Sequence, residues 1–144
     1  MTLFSRGRNS RLACSIVFAL AGMSAGLADT VILDCKMNLT SRSGGWIPGS
    51  ALIEVNRSNK ALTLIEPTAE QLNGRVTSAK LVREASDKMV LLWEVKGTRS
   101  SSNQTTPVFK FRAIVEKPSG KASVIAKPLG YGNDFRAKGE CAFK

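Results

Sequence analysis

The 144-residue sequence contains no histidine, and this absence restricts the chemistry that it can support. Histidine is the most common general base and a member of the Ser-His-Asp and Cys-His nucleophile systems. It is also the usual ligand for zinc and copper. The sequence also has no Gly-x-Gly-x-x-Gly motif and no phosphate-binding loop ending in Gly-Lys-Ser/Thr. We therefore expect a non-enzymatic protein that holds no metal and no cofactor.

Carboxylates are the one catalytic chemistry that the sequence leaves open. Most of the 11 acidic residues stand apart from one another, on the polar faces of predicted strands, where solvation accounts for them. A pair such as Asp134 and Glu140 could still meet across a cleft and act as the two carboxylates of a glycosidase. A carboxylate-dependent hydrolase is therefore the least favoured alternative.

Long apolar runs are also lacking, and the N-terminus is typical of a secretory signal. Three arginines precede residue 12, and the short apolar stretch that follows is diluted by small residues up to Ala28. A membrane span would need about 20 mostly apolar residues. We expect residues 1–28 to be removed on export. This leaves a single β domain at residues 29–144 that is periplasmic or secreted and has no transmembrane anchor.

Cysteine is scarce, and its placement favours a disulfide. Cys14 falls within the predicted signal, so that Cys35 and Cys141 remain near the two ends of the exported chain. In an oxidising compartment an even pair of this kind usually bonds. A metal or redox site is disfavoured because the sequence offers no histidine and no Cys-x-x-Cys spacing.

Apolar and polar residues alternate along most of the exported chain, which is the pattern of half-buried β-strands. Cys35 and Cys141 both fall on the apolar faces of their runs. The sequence predicts an all-β fold of about eight antiparallel strands, arranged as a small meander barrel or a sandwich. A helical turn is expected at residues 67–73 and a flexible polar loop at residues 98–106. The predicted strands are 31–39, 50–57, 61–66, 75–84, 88–96, 107–116, 121–127 and 134–143.

Positive charge is abundant and unevenly distributed. Residues 29–94 hold eight basic and eight acidic residues, whereas residues 95–144 hold ten basic and three acidic. If residues 117–120 form a hairpin turn, Lys110 faces Lys127 on the outer face of the sheet, where like charges repel. The last strand adds further cations if it lies beside the seventh. We predict a site for an anionic partner that comprises Lys110, Arg112, Lys127, Tyr131, Arg136 and Lys138.

Two loop aromatics stand beside glycines, and both could contribute to this site. Tyr131 lies between two glycines and Trp46 follows another two. Packing explains each of them at least as well as ligand contact does. The partner could be an anionic polymer, a lipid headgroup or an acidic protein. Nucleic acid is disfavoured because export separates the protein from it and aromatic residues for base stacking are sparse.

The favoured function is an exported binding module that presents a cationic sheet face to an anionic envelope or extracellular partner. One alternative is a barrel that carries a small apolar ligand. Another alternative rests on residues 43–46, Ser-Gly-Gly-Trp, and on the plan of a compact barrel with one disulfide between early and late strands. In these two features the chain resembles small exported lysozyme inhibitors. The resemblance implies a lysozyme as partner, whereas the positive charge would repel a typically cationic lysozyme.

Overall fold

The computed structural model describes residues 29–65, 74–99, 102–103 and 105–144. The signal predicted for residues 1–28 and the helical turn predicted for residues 67–73 lie outside these ranges. Among the described residues, no helix has the length and apolar character needed to cross a lipid bilayer.

Eight antiparallel strands form one sheet in chain order, and pairing of the last strand with the first closes it into a barrel. This closure decides between the two predicted architectures in favour of the barrel. A three-residue 3-10 helix, Ser41–Ser43, lies between the first two strands. The strands are β1 (Thr30–Asn38), β2 (Ser50–Asn56), β3 (Ala61–Ile65), β4 (Arg75–Glu84), β5 (Lys88–Arg99), β6 (Thr105–Glu116), β7 (Lys121–Pro128) and β8 (Phe135–Phe143).

The ends of the predicted strands are accurate to one residue except at β5 and β6. The prediction of a polar loop at residues 98–106 is wrong in part. Thr98 pairs with Thr106, so β5 and β6 both extend into the predicted loop. Gly97 adopts a left-handed conformation (φ 68°), which glycine tolerates without steric cost, and Thr98 beyond it is buried. Threonine is β-branched and fits a strand in spite of its polarity. The polar composition of this segment is therefore the reason that the strand pairing was not predicted.

The interior of the barrel is filled by the apolar face of its strands. Phe109, Phe111 and Leu91 are completely buried there. The rings of Trp93 and Phe111 stack almost parallel, with centroids 5.3 Å apart. Burial of each large apolar side chain contributes about 1.5–3 kcal/mol relative to exposure. The alternation in the sequence thus produces a packed core inside one closed sheet.

A disulfide joins β1 and β8, the two strands at which the barrel closes. Cys35 lies directly opposite Cys141 in the register, and the bond between them is buried inside the barrel. The disulfide predicted from the sequence is therefore confirmed. Close to it, Gly139 allows the two strands to approach, since a Cβ atom at this position would overlap the carbonyl oxygen of Lys36. We call this junction the β1–β8 seam.

The barrel has two ends, because the connections of a meander alternate between them. We call one end the base. It carries the short connections at residues 57–60, 85–87 and 117–120. We call the other end the mouth, and it carries the longer connections at residues 39–49 and 129–134.

Glu84, the last residue of β4, binds through its carboxylate to the residues that directly follow β2 and β6 at the base. It accepts hydrogen bonds from Nε of Arg57 at 3.0 and 3.1 Å and from Nζ of Lys117 at 2.6 Å. Lys117 also donates to the carbonyl oxygen of Ala85 at 3.2 Å. Partial burial raises the pKa of Glu84, but the hydrogen bonds and charges of Lys117 and Arg57 together outweigh it and lower the pKa. A cluster of three charged side chains therefore connects the ends of these strands at the base.

Candidate functional site

The five cationic side chains of the predicted site lie on one outer wall, formed by β6, β7 and β8. Lys110 faces Lys127 across β6 and β7, as the hairpin register predicts. Arg112 and Arg136 stand on either side of Ile125, so that three strands contribute to one row. All five cations are exposed. We call them the cationic wall: Lys110, Arg112, Lys127, Arg136 and Lys138.

Nearer the base, carboxylates of β6 and β8 face lysines of neighbouring strands, and we call these facing residues the balanced row. Glu116 faces Lys88 on β5, and Glu140 stands between Lys36 and Lys121. Facing residues of opposite charge stabilise a sheet, whereas the facing lysines of the cationic wall destabilise it. The excess of positive charge therefore begins above this balanced row and extends toward the mouth.

A charged corner forms where the cationic wall meets the mouth. Arg136 donates two hydrogen bonds to the carboxylate of Asp134, at 2.8 and 3.3 Å. Hydrogen bonding from Arg136, together with the charges of Arg136, Lys127 and Arg42, outweighs desolvation and lowers the pKa of Asp134. The same hydrogen bond raises the pKa of Arg136. Arg136 thus holds the carboxylate of Asp134 directly, Arg42 and Lys127 act on it through their charge, and these four groups together carry a net positive charge.

The other four cations of the cationic wall form no salt bridge with any residue that the structure describes. Salt bridges elsewhere use Lys117 and Arg57 at the base and Lys144 with Asp34 at the end of β8. The hydrogen bond and charge of Lys144 outweigh desolvation and lower the pKa of Asp34. The cations outside the wall therefore include several with structural partners, and those of the wall are largely available to a ligand.

The connection between β1 and β2 folds back over the mouth. The buried hydroxyl of Ser43 donates a hydrogen bond to the backbone carbonyl of Arg136 on β8, at 3.3 Å. Gly44 follows in a left-handed conformation (φ 59°) against the ring of Phe135, where a side chain would collide with that ring. These contacts fix the path of the loop across the barrel end.

Trp46 enters the mouth from this loop and packs into an aromatic cluster. Its ring centroid lies 4.8 Å from that of Phe109 and 6.2 Å from that of Phe135. Only 9% of Trp46 is exposed. Of the two interpretations that the sequence left open for this residue, the structure supports packing.

A cleft of about 530 Å³ opens beside the aromatic cluster. Buried rings form its inner side, and Tyr131, which is 67% exposed, stands at its outer edge. Two side-chain amides and two hydroxyls supply hydrogen-bond donors and acceptors. We call it the mouth cleft, and its lining includes Trp46, Asn103, Thr105, Tyr131, Asn133 and Phe135.

The mouth cleft and the cationic wall share a border. Phe109 and Pro128 face each other across β6 and β7, and both line the cleft. The next pair along these strands is Lys110 and Lys127, whose side chains point outward. Arg136 likewise follows a lining residue on β8. Cations therefore flank the cleft on three of its strands, β6, β7 and β8.

The interior of the barrel offers little space by comparison. An apolar cavity among the core residues, lined in part by Met37, Trp93 and Val124, has a volume of about 20 Å³. This is roughly the room needed by one water molecule, whereas sites for drug-sized ligands have volumes of about 300–1,000 Å³.

The two carboxylates suggested for a glycosidase are not brought together. Asp134 lies at the rim of the mouth and Glu140 lies in the balanced row nearer the base. Six residues of extended chain separate them by about 20 Å, beyond the separation of about 5–10 Å that glycosidases use. No group of three or more potential metal-ligating His, Cys, Asp or Glu side chains occurs within the described residues.

Sequence reasoning missed the polar residues of the mouth cleft. Asn133 is close to Tyr131 in a Gly-rich loop, and that proximity was the only local signal for it. Asn103 and Thr105 come from the β5–β6 connection, which composition presented as a polar loop without a role. Their approach to the β7–β8 loop depends on the closed barrel.

Comparison with known protein families, curated proteins and solved structures finds no match to this chain. What the cationic wall and the mouth cleft can bind therefore has to be inferred from their own geometry.

Proposed function

We propose that the protein is an exported, non-enzymatic binding module that holds an anionic envelope or extracellular partner against the cationic wall. The supporting observation is that five exposed cations gather on three adjacent strands, four of them without a salt bridge among the described residues. A surface of one sign raises the local concentration of oppositely charged partners and speeds their association.

The register of the sheet strengthens this proposal. Lys110 directly faces Lys127 on β7, a pairing of like charges that costs stability, although Glu94 faces Lys110 from β5 and offsets part of this cost. The balanced row nearer the base shows that the same strands can accommodate facing charges of opposite sign. A feature that costs stability at an exposed position is better explained by binding than by folding.

The alternative functions find less support in the geometry. The interior cavity of about 20 Å³ argues against a carrier of a small apolar ligand. Ser43 and Trp46 are folded into the barrel end, which argues against a projecting inhibitory segment of the lysozyme-inhibitor kind. The separation of Asp134 from Glu140 argues against a hydrolase that would use this pair.

A direct test is to measure the affinity of the protein for heparin, a long polyanion, at low and moderate salt. The wall variant replaces Lys110, Arg112, Lys127 and Lys138 with Gln. A matched control makes the same change in net charge elsewhere, at Lys36, Lys80, Arg83 and Lys121. If each contact contributes about 0.5 kcal/mol, the wall variant should bind about 30-fold more weakly.

The control variant should retain most of the affinity, and binding by the unaltered protein should weaken as salt screens the charges. Equal losses in the two variants would show that net charge alone determines binding, and the proposal would then fail. Absence of heparin binding at low salt would also contradict it.

A further inference from the structure

We propose that the mouth cleft binds a sugar unit of an acidic oligosaccharide, with the sugar ring against Tyr131 and its carboxylate or sulfate at the corner formed by Arg42, Lys127 and Arg136. This inference rests on the proposed function and specifies the class of its partner.

Tyr131 is the first ground for this assignment. Its side chain is 67% exposed, although a large aromatic side chain is usually buried to a greater extent. The backbone N–H of Tyr131 donates to the carbonyl of Pro128, at 3.4 Å, so that a turn holds the residue at the edge of the cleft. A tyrosine ring offers an apolar face and a polar hydroxyl, which match the C–H face and the hydroxyl edge of a sugar.

The polar lining of the cleft is the second ground. Asn103, Thr105 and Asn133 line the same space as Tyr131. An amide both donates and accepts hydrogen bonds, as a sugar hydroxyl does, so each side chain can satisfy such a group. The volume of about 530 Å³ lies within the range of about 300–1,000 Å³ that is typical of small-molecule sites.

The charged corner is the third ground, and it indicates an acidic rather than a neutral sugar. Arg136 already holds a carboxylate of this chain, that of Asp134, through two hydrogen bonds. Lys127 and Arg42 lie close enough to lower the pKa of the same carboxylate. An arginine fork suits the planar geometry of a second carboxylate or of a sulfate. Phe135 lines both the mouth cleft and the hollow at this corner, which joins the two.

A lipid surface is the competing partner for this end of the barrel. Leu39 and Leu129 are exposed at the mouth and could contact lipid. The polar and concave lining of the cleft favours a sugar, since insertion into lipid would desolvate Asn103 and Asn133 without providing partners for their amides.

Binding to an array of uronate-bearing, sulfated and neutral oligosaccharides tests the inference. The protein should bind acidic members, and Tyr131→Ala should weaken the tightest interaction by about 10-fold or more, as expected for loss of one stacked ring. Asn133→Ala should weaken it by about 3-fold or more. Both positions are exposed, so the variants should fold. Binding of polyphosphate, a polyanion that contains no sugar, serves as the control for the cationic wall and should be unchanged in both variants.

A second variant should act in the opposite direction. Asp134→Asn removes the carboxylate that competes for Arg136, so the affinity for acidic oligosaccharides should rise about 3-fold while neutral ones stay unbound. Glu140→Gln is the matched control on the same strand, since its carboxylate faces Lys36 and Lys121 away from the cleft. It should leave the affinity unchanged.

Three outcomes would overturn the inference. Acidic oligosaccharides could bind without any effect of Tyr131→Ala, or no acidic member of the array could bind while polyphosphate binding to the cationic wall persists. In both cases the proposed function would stand and the cleft assignment would fail. Binding to vesicles of anionic lipid that is abolished by Leu129→Ser and not by Tyr131→Ala would assign the mouth to a membrane. Loss of all anion binding, heparin included, would instead remove the proposed function itself.

Discussion

The base and the mouth of the barrel are built from the same eight strands, yet they use charge in opposite ways. At the base, Glu84 accepts hydrogen bonds from Arg57 and Lys117, so that opposite charges meet in a partly buried cluster. At the mouth, Arg42 and Arg136 line the same hollow as the carboxylate of Asp134, Lys127 lowers the pKa of that carboxylate further, and Tyr131 stays exposed. The difference indicates that stabilising contacts are concentrated at the base and the β1–β8 seam. The mouth instead carries an excess of cations and an exposed aromatic ring, which do not stabilise the fold.

This division is consistent with the proposed binding function. Burial of the core and the closure of the sheet stabilise the fold, and the loops of the mouth can then carry residues whose placement is unfavourable for folding alone. Variants at the base and the seam should therefore change stability and leave binding intact. Variants at the mouth should change binding and leave stability intact.

The largest loss of stability is expected on removal of the disulfide. The double variant Cys35→Ala/Cys141→Ala removes a cross-link between two residues that are 106 positions apart in the sequence. Removal of the cross-link raises the conformational entropy of the unfolded chain, which should lower the free energy of unfolding by about 4–5 kcal/mol. Urea denaturation followed by circular dichroism measures this change. If the double variant still folds but has lost its affinity for heparin, the seam also determines binding, and the proposed separation of stability from binding is wrong.

Two glycines provide a smaller and sharper comparison. Gly139→Ala at the seam forces β8 away from the backbone of Lys36 and should cost about 1–3 kcal/mol. Gly132→Ala at the mouth meets no atom within 4 Å and should leave stability unchanged or raise it by about 0.4–1 kcal/mol. Thermal unfolding of the two variants separates these results. Similar losses at both positions would show that the mouth is as tightly constrained as the seam.

The smallest effect depends on pH. Glu84→Gln should lower the free energy of unfolding by about 1–2 kcal/mol at neutral pH, because the side chain is partly buried and its bonds to Arg57 and Lys117 are charged. The pKa of Glu84 in the folded protein lies below its ordinary value of 4.5. Its contribution is therefore complete above pH 4.5 and is lost as the pH falls through the pKa of the folded state.

The difference in stability between the unaltered protein and Glu84→Gln should narrow under acid conditions, as urea denaturation at several pH values would show. Asp134→Asn is the matched variant at the mouth and should leave the unfolding transition unchanged, because its ion pair is exposed to solvent. A difference for Glu84→Gln that persists unchanged well below pH 4.5 would exclude the proposed role of its ionised carboxylate.

The strands and the cationic wall could be predicted because both depend on local order in the chain. Alternation fixes which side chains face inward, and a hairpin turn at residues 117–120 fixes which residues of β6 and β7 face each other. The pairing of Lys110 with Lys127 follows directly. Cys35 and Cys141 could be paired because no other cysteine remained after the predicted signal.

The contacts that shape the two barrel ends could not be predicted in this way. Ser43 reaches the backbone of Arg136 across 93 positions of sequence, and Glu84 finds Arg57 and Lys117 at separations of 27 and 33. No local pattern specifies such encounters, since they arise only after the sheet has closed. The burial of Trp46 and the mouth cleft depend on the first of these contacts.

The pairing of β1 with β8 also determines how the molecule can be oriented. Ile32 and Lys144 exchange two backbone hydrogen bonds, and Arg57 donates to the carbonyl of Asp29, so both ends of the described chain emerge at the base. Anything attached before Asp29 or after Lys144, whether a tether, a fusion partner or the surface of a sensor chip, would therefore leave Tyr131 and the charged corner pointing away from the point of attachment. The geometry that closes the barrel would thus keep the mouth accessible to the surrounding medium.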